Sequence, residues 1–359
     1  MEALDNKCPS CGAVIKFSPK EQKWVCEYCG SEFTLEEMQQ HKNASSEEVN
    51  QKSSEKKKRK VEEADVYRCK SCGAEIIADA NTTATFCVYC GNTAILKEKI
   101  QDSRVPDFII PFQKVKEDAM NAFEKLVRYK PLVPKSFKSK KNIEKITGVY
   151  IPFWAYDFDV HGTAEFSGTD IHTWSDFRNR YTKTDRFAVV CDGAMHYDKV
   201  LADGSSRFPD DLMDSLEPFE YKDLTSYNHA FLSGFLSEKY DVLEDDAELR
   251  AKTRTEKTSI SLLQETVRHQ QSTLIKHNLA IKKEKSNYIL LPVFMVNIKY
   301  HDKMYTFAMN GQTGKIVGEL PLGVKETVLW GTLIFLLCFI VCILLYLGGI
   351  IWKSLSIYS

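Results

Sequence analysis

The sequence predicts an α+β protein. It has two small four-cysteine modules of β-hairpin type, a mainly antiparallel α+β middle domain, and one C-terminal helix long enough to cross a membrane. Three observations predict this. Pairs of the form C-x2-C recur within the first 90 residues, helical and strand-like apolar patterns succeed one another through the middle, and residues 328–352 contain no charged side chain.

The cysteine modules come first in the chain. Cys8, Cys11, Cys26 and Cys29 recur as Cys69, Cys72, Cys87 and Cys90, each shifted by 61 positions. The flanking text recurs as well: KCPSCGAVI against RCKSCGAEI, and CEYCG against CVYCG. Each copy has the form C-x2-C-x14-C-x2-C, close to the spacing of structural zinc sites. Four thiolates surround Zn²⁺ tetrahedrally in a closed site, and a C-x-x-C turn lets two sulfurs reach one ion. The glycine after each pair, Gly12, Gly30, Gly73 and Gly91, can take the positive φ that such a turn requires. A module of this size cannot hold itself together by a hydrophobic core alone, whereas structural zinc contributes roughly 10–16 kcal/mol in finger peptides. All eight cysteines are therefore candidate ligands for two structural Zn²⁺ ions. Free thiols, redox pairs and an iron–sulfur cluster remain as alternatives. The opening MEALDNKCPSCG has no apolar core of a secretory signal, so the thiols are expected in a reducing compartment.

Composition changes mark the boundaries. Residues 1–42 form the first ribbon plus a short helix, which Thr34-Leu35-Glu36-Glu37 opens as a capping box. Residues 43–64, NASSEEVNQKSSEKKKRKVEEA, have almost nothing to bury and read as a charged linker. Residues 65–100 form the second ribbon, 101–325 the body, 326–353 the membrane helix and 354–359 a short tail.

Within the body, Val115, Ala119, Ala122, Phe123 and Leu126 recur at helical spacing across Lys114 to Arg128. Val149 to Phe158 is rich in aromatic and β-branched residues and reads as a buried strand, with Pro152 as a local objection. Arg186 to Cys191 reads as a second strand, Pro209 to Leu216 as a short helix, and Val242 to His269 as a long polar helix. Leu274 to Lys282 is a further strand. Tyr288 to Tyr300, Met304 to Met309 and Lys315 to Leu320 then close a meander, with Asn310-Gly311-Gln312-Thr313-Gly314 as its last turn.

Residues 328–352 would span ~37 Å as a helix, against a hydrocarbon core of ~30 Å. Trp330, Tyr346 and Trp352 lie towards its ends, where amphipathic rings favour the interface. Lys315 and Lys325 before the segment and Lys353 after it give a weak positive-inside signal. With the thiolates, this places residues 1–325 in the cytoplasm and predicts a single-pass protein of the cell membrane.

Charged residues make up 27% of the chain and the formal net charge is −1, so there is no global basic excess of the kind nucleic-acid binders show. The run Lys56 to Lys60 could touch phosphates, but Glu55, Glu62 and Glu63 flank it. Trp24, Tyr28, Phe86 and Tyr89 could stack on bases or pack the ribbon cores. Asn310 to Ile316 fails as a phosphate loop, with Met309 where glycine is needed and Ile316 where Ser or Thr is needed. Asp157, Asp159 and His161, then Asp170, His172 and Asp176, then Asp203, Asp210, Asp211 and Asp214 offer carboxylates for a cation or a catalytic site. Such residues are more often helix caps and solvated turns.

The ribbons resemble TFIIB-type ribbons in their ligand spacing alone. GVYIPFWAYDFDVHG, TDIHTWSD, RYTKTDRF, DGSSRFPDDLMDSLEPF and FLSGFLSEKYDV carry a broader resemblance, to the bacterial zinc-ribbon membrane proteins of the YdjG type in Firmicutes. That resemblance implies a neighbourhood of SPFH (flotillin-like), TPM-domain and PspA-like proteins, hence membrane organisation or envelope stress. It supplies no catalytic residues. The expected function is a membrane-anchored adaptor that binds partner proteins at the bilayer. The alternatives are a membrane-tethered nucleic-acid binder and an enzyme using the acidic segments.

Overall fold

The computed structural model describes residues 8–13, 15–38, 65–69, 75–78, 95–99, 104–139, 145–301 and 303–355. The linker with Lys56 to Lys60, and Cys72, Cys87, Cys90, Phe86 and Tyr89, lie outside the described residues, as does the end of the tail.

The fold is α+β with a large, mainly antiparallel sheet. The first ribbon is a three-stranded sheet of β1 (Ile15–Ser18), β2 (Lys23–Cys26) and β3 (Glu32–Phe33). One helical turn follows at residues 35–38. Thr34 N–H donates to Glu37 Oε2 at 2.8 Å, and Glu37 N–H donates to Thr34 Oγ1 at 3.3 Å, which is the reciprocal capping box expected there.

Strands β4 (Asp65–Cys69), β5 (Glu75–Ala78) and β6 (Ile95–Lys99) come from the second module. They extend the main sheet rather than standing apart, because β5 pairs antiparallel with β11 (Leu236–Glu238) of the body. The body adds β7 (Phe108–Ile109), α1 (Lys116–Arg128), β8 (Thr147–Ser175), β9 (Arg180–Asp203), α2 (Asp210–Asp214) and β10 (Thr225–Ser226). It continues with α3 (Glu244–Glu265), β12 (Gln271–Tyr300), β13 (Lys303–Asn310) and β14 (Ile316–Gly318), and α4 (Val324–Leu355) is the last described element.

Helix α1 forms where its apolar spacing places it. Asp118 caps it by accepting from Val115 N–H at 3.0 Å. Ala119, Phe123 and Val127 are its buried face, and Phe123 sets its ring edge-on to Phe307 at 5.0 Å.

The central strands β8 and β12 are buried on both faces near the body, which is why GVYIPFWAY reads as a continuous apolar run. Tyr150, Trp154, Tyr156 and Phe158 face one core, with Phe112, Phe294, α1 and the first ribbon. Val149, Ile151, Phe153 and Ala155 face the other, with Phe208, Met213 and Leu216 around α2. Pro152 is tolerated because of where it sits. Its strand neighbour changes from β11, which pairs at Val149 and Tyr150, to β9, which pairs from Phe153 onward. The Pro152 carbonyl still accepts from Gly204 N–H at 2.8 Å in that gap, and no ladder partner needs the missing donor.

Three strands are far longer than the pattern suggests. The expected strand at Val149 to Phe158 continues to Ser175. That at Arg186 to Cys191 runs from Arg180 to Asp203. Those at Leu274 to Lys282 and Tyr288 to Tyr300 are one strand, β12. At ~3.3 Å per residue β12 would reach about 90–100 Å if straight. Strands β9, β8 and β12 thus leave the body as a three-stranded antiparallel ribbon. Helix α3 packs along one face of it, on Ala164, Phe166, Val189, Cys191 and Met195.

Candidate metal centre and membrane helix

The first metal-binding candidate is built from two copies of one turn. In CPSCG, Gly12 N–H donates to Cys8 O at 2.8 Å, and in CEYCG, Gly30 N–H donates to Cys26 O at 2.9 Å. Both glycines sit in the left-handed region, at φ 74° and 73°, a backbone that L side chains rarely adopt. Each turn presents two sulfurs, and the β1–β2 hairpin brings the two turns together.

The four Sγ atoms of Cys8, Cys11, Cys26 and Cys29 all lie within 4.8 Å of one another. Cys8 and Cys29 Sγ are 3.5 Å apart, and Cys11 and Cys26 Sγ are 3.6 Å apart. A disulfide would need about 2.05 Å. A tetrahedral site with metal–sulfur bonds of about 2.3 Å places its sulfurs ~3.8 Å apart. The donor set and its spacing therefore fit one metal ion. Cys8 and Cys26 are buried and Cys11 and Cys29 face solvent.

Four thiols this close interfere with one another's ionisation. The Ser31 hydroxyl, 3.2 Å from Cys29 Sγ, and the Ser31 backbone lower the Cys29 thiol to about 6. At Cys11 a hydrogen bond with the Ala13 backbone lowers the pKa, but desolvation and the three neighbouring thiols outweigh it and push it up to about 12. A bound divalent cation removes that conflict by holding all four as thiolates.

The ribbon is joined to the body. Trp24 is 1% exposed. Its ring lies between Phe17 at 5.1 Å and Phe231 at 4.9 Å, and its Nε1 donates to Ala230 O at 2.9 Å. Ser233 Oγ donates to Ile15 O at 2.6 Å, and Gln22 Nε2 to Phe112 O at 2.8 Å. Trp24 is therefore enclosed by the body rather than offered to a base, while Tyr28 stays exposed. Sequence reasoning missed this docking, because an aromatic in a small ribbon reads as part of the ribbon's own core.

Of the second ligand set, Cys69 ends β4; Cys72, Cys87 and Cys90 lie outside the described residues. The repeated CKSCG and CVYCG texts carry the same ligand and glycine positions as the first site.

The three acidic groups stay apart from one another, and within the last of them Asp203, Asp210 and Asp214 meet at a cation, Arg250. Asp159 and Asp170 are eleven residues apart on β8, about 36 Å in an extended strand. Asp157 accepts from Lys199 N–H at 2.8 Å. Asp159 Oδ1 is 2.5 Å from His196 Nδ1, whose Nε2 is 3.1 Å from Asp198. Asp170 binds His269 at 3.0 Å and accepts from Gln270 N–H at 2.9 Å. Asp176 closes the β8–β9 turn by accepting from Arg178 and Asn179 N–H at 2.8 and 2.7 Å. Asp203 pairs with Arg250, which also reaches Asp210 at 3.1 Å and Asp214 at 2.6 Å. These carboxylates hold turns and helices in place.

The Asn310–Gly314 turn is a structural corner. Buried Asn310 donates to Leu216 O and Pro218 O at 3.1 and 3.2 Å. It also accepts from Gln312 and Thr313 N–H at 2.9 and 3.0 Å. A Cβ at Gly311 would lie 2.5 Å from the Phe112 ring, so only glycine lets that ring seat under the turn.

Helix α4 leaves the body just after Gly323, whose N–H donates to Leu132 O at 2.8 Å. Within Val324–Tyr346 the most apolar 18-residue window has a mean hydropathy of 3.0, and none of that window is buried in the protein. A long apolar helix with no protein cover is a candidate transmembrane span.

No family model matches the chain, and no solved structure matches it. A protein of Bacillus subtilis strain 168 named YdjG is 34% identical over 328 residues, covering 91% of this chain and 93% of the relative. This chain belongs to the YdjG family. With that coverage the YdjG likeness extends far beyond the cysteine modules and takes in most of the body.

Proposed function

We propose that the protein is a membrane-anchored zinc-binding adaptor that recruits or organises partner proteins at the cytoplasmic membrane. The observation that carries this reading is the union, in one packed body, of a closed four-thiol cluster and, among the described residues, a single uncovered apolar helix. A four-thiolate site leaves no open position for a substrate, so the metal shapes a surface. The ion is zinc in a TFIIB-type ribbon, and the second ribbon holds another through Cys69, Cys72, Cys87 and Cys90. Thiolate ligands belong in a reducing compartment, and Lys315 before α4 and Lys325 in its first turn lie on the body side of the apolar segment; both support residues 1–325 on the cytoplasmic side. The family resemblance points to SPFH, TPM-domain or PspA-like proteins as partners.

The test is affinity purification of the full chain from gently solubilised membranes with nuclease treatment, followed by mass spectrometry. The adaptor reading expects one or two membrane-associated proteins at near-stoichiometric levels. Recovery of the chain alone, or of nucleic-acid machinery that nuclease removes, would overturn it.

A further inference from the structure

We propose that β9 is a self-docking edge, at which two copies of this chain pair strand to strand, antiparallel, about a two-fold axis through Val189. The ribbon of β9, β8 and β12 has two long edges, and the chain treats them differently. Beyond the body, the outer edge of β12 carries Lys276, Lys282, Lys283 and Lys285, and its register breaks at Leu274/Lys276 and again at Lys283/Lys285. Lysines and bulges are the devices that stop an edge from accepting another strand. The middle of the β9 edge lacks both, with Lys183 and Lys199 flanking it and the register breaking only beyond Tyr197. From Thr184 to Asp198 it has no lysine and no proline, and its register with β8 is unbroken from Tyr197 to Arg180. Among the described residues β9 pairs with β8 alone. Val190, on the face away from α3, is 65% exposed.

The occupant follows from the order of residues along the strand. Antiparallel self-pairing centred on Val189 sets Arg186 opposite Asp192 of the second copy, and Arg180 opposite its Asp198. Each pair occurs twice by symmetry. The same register sets Tyr181 opposite Tyr197, Phe187 opposite Cys191 and Ala188 opposite Val190, and no two like charges meet. Moving the centre to Val190 puts Arg186 against Ala194 and Asp192 against Ala188, which loses both charge pairs. Moving it to Ala188 sets Arg186 against Val190 and Arg180 against His196. Among the described residues Arg186 and Asp192 have no ion-pair partner within the chain. Opposite charges directly across an antiparallel pair stabilise it, and like charges destabilise it. A centre on a residue, rather than between two, also keeps α3 on the same face in both copies. A two-fold contact of this kind is self-complementary and closed. Both α4 helices enter one bilayer in the same sense only if the axis lies along the bilayer normal. The joined six-stranded sheet therefore lies flat over the membrane, with one body at each end.

The experiment measures the mass of the full-length protein in detergent micelles across micromolar concentrations, for the natural chain and three variants. The natural chain is expected as a dimer. Asp192→Arg alone and Arg186→Asp alone each place like charges at two symmetric positions and are expected to weaken dimerisation roughly 10- to 100-fold. The double exchange Arg186→Asp with Asp192→Arg restores opposite charges and is expected to restore the dimer. Matching circular dichroism spectra across the set establish that folding is unchanged. A monomeric natural chain, single variants that stay dimeric through α4 or another surface, or a double exchange that fails to recover the dimer would each overturn the proposal.

Discussion

Trp24 Nε1 donates to the carbonyl of Ala230, 206 residues further along the chain, at 2.9 Å. That bond and the rings of Phe17 and Phe231 fasten the first cysteine ribbon to the body. Metal binding, folding of the ribbon and stability of the body are thereby linked. Trp24→Ala removes a fully packed ring, and such truncations cost about 3–5 kcal/mol. Trp24→Phe keeps most of the packing and loses the hydrogen bond, for about 1 kcal/mol. Urea unfolding followed by circular dichroism should rank the natural chain above the Phe variant and the Phe variant above the Ala variant.

Removal of a thiolate should be read out as metal. Cys26→Ser is expected to lower bound zinc by one equivalent per chain, measured by elemental analysis of the purified protein. Because Cys26 lies on β2 beside Ile15, the same variant should loosen the β1–β2 hairpin. Chelation of the natural chain should reproduce that loss. Unchanged zinc in the Cys26 variant would contradict the assignment.

Arg250 neutralises a buried carboxylate. Burial raises the Asp203 pKa, against the pull of the Arg250 guanidinium. A carboxyl whose folded pKa is raised contributes stability that is full below its unfolded pKa and is lost as pH rises through the folded value. Without Arg250 the rise is larger. Arg250→Met should therefore cost about 3–5 kcal/mol near neutral pH, and the difference from the natural chain should narrow as pH falls and Asp203 takes up its proton. Unfolding curves at neutral and acid pH check both statements.

His196 sits between two carboxylates on the open face of the ribbon. Hydrogen bonds to Asp159 and Asp198 raise its pKa above the usual imidazole value, and the bond to His196 lowers that of Asp159. The His196 contribution is full below about 6.5 and fades as pH rises through the raised value. The Asp159 contribution is present above its unfolded pKa and is lost as pH falls through the depressed one. An NMR titration should show the His196 ring titrating above the usual range, and Asp159→Asn should move it back down.

Much of this was legible in the sequence for physical reasons. Helix α1 carries its apolar residues on one stripe, α3 is a long polar segment flanked by loops, and Thr34 with Glu37 spells a capping box. The C-x2-C-G texts encode two identical turns. The long ribbon was not legible, because Lys282 to Asn287 and Thr169 to Lys183 lie beyond the core. With solvent on one or both faces, neither stretch keeps the alternation that marks a half-buried strand. The docking of Trp24 was hidden for another reason. Its partners Phe231 and Ala230 are distant in sequence, and nothing local distinguishes an indole that packs its own ribbon from one that packs the body.

In the proposed function α4 holds this protein, and through it other proteins, at the membrane. The most direct measurement is quantitative mass spectrometry of membrane and soluble fractions from cells carrying either the full chain or a chain ending at Gly323. The truncated chain is expected to move to the soluble fraction, and a small, defined set of proteins to leave the membrane with it. A truncated chain that stays at the membrane, or a membrane proteome unchanged by its release, would overturn the adaptor role of α4.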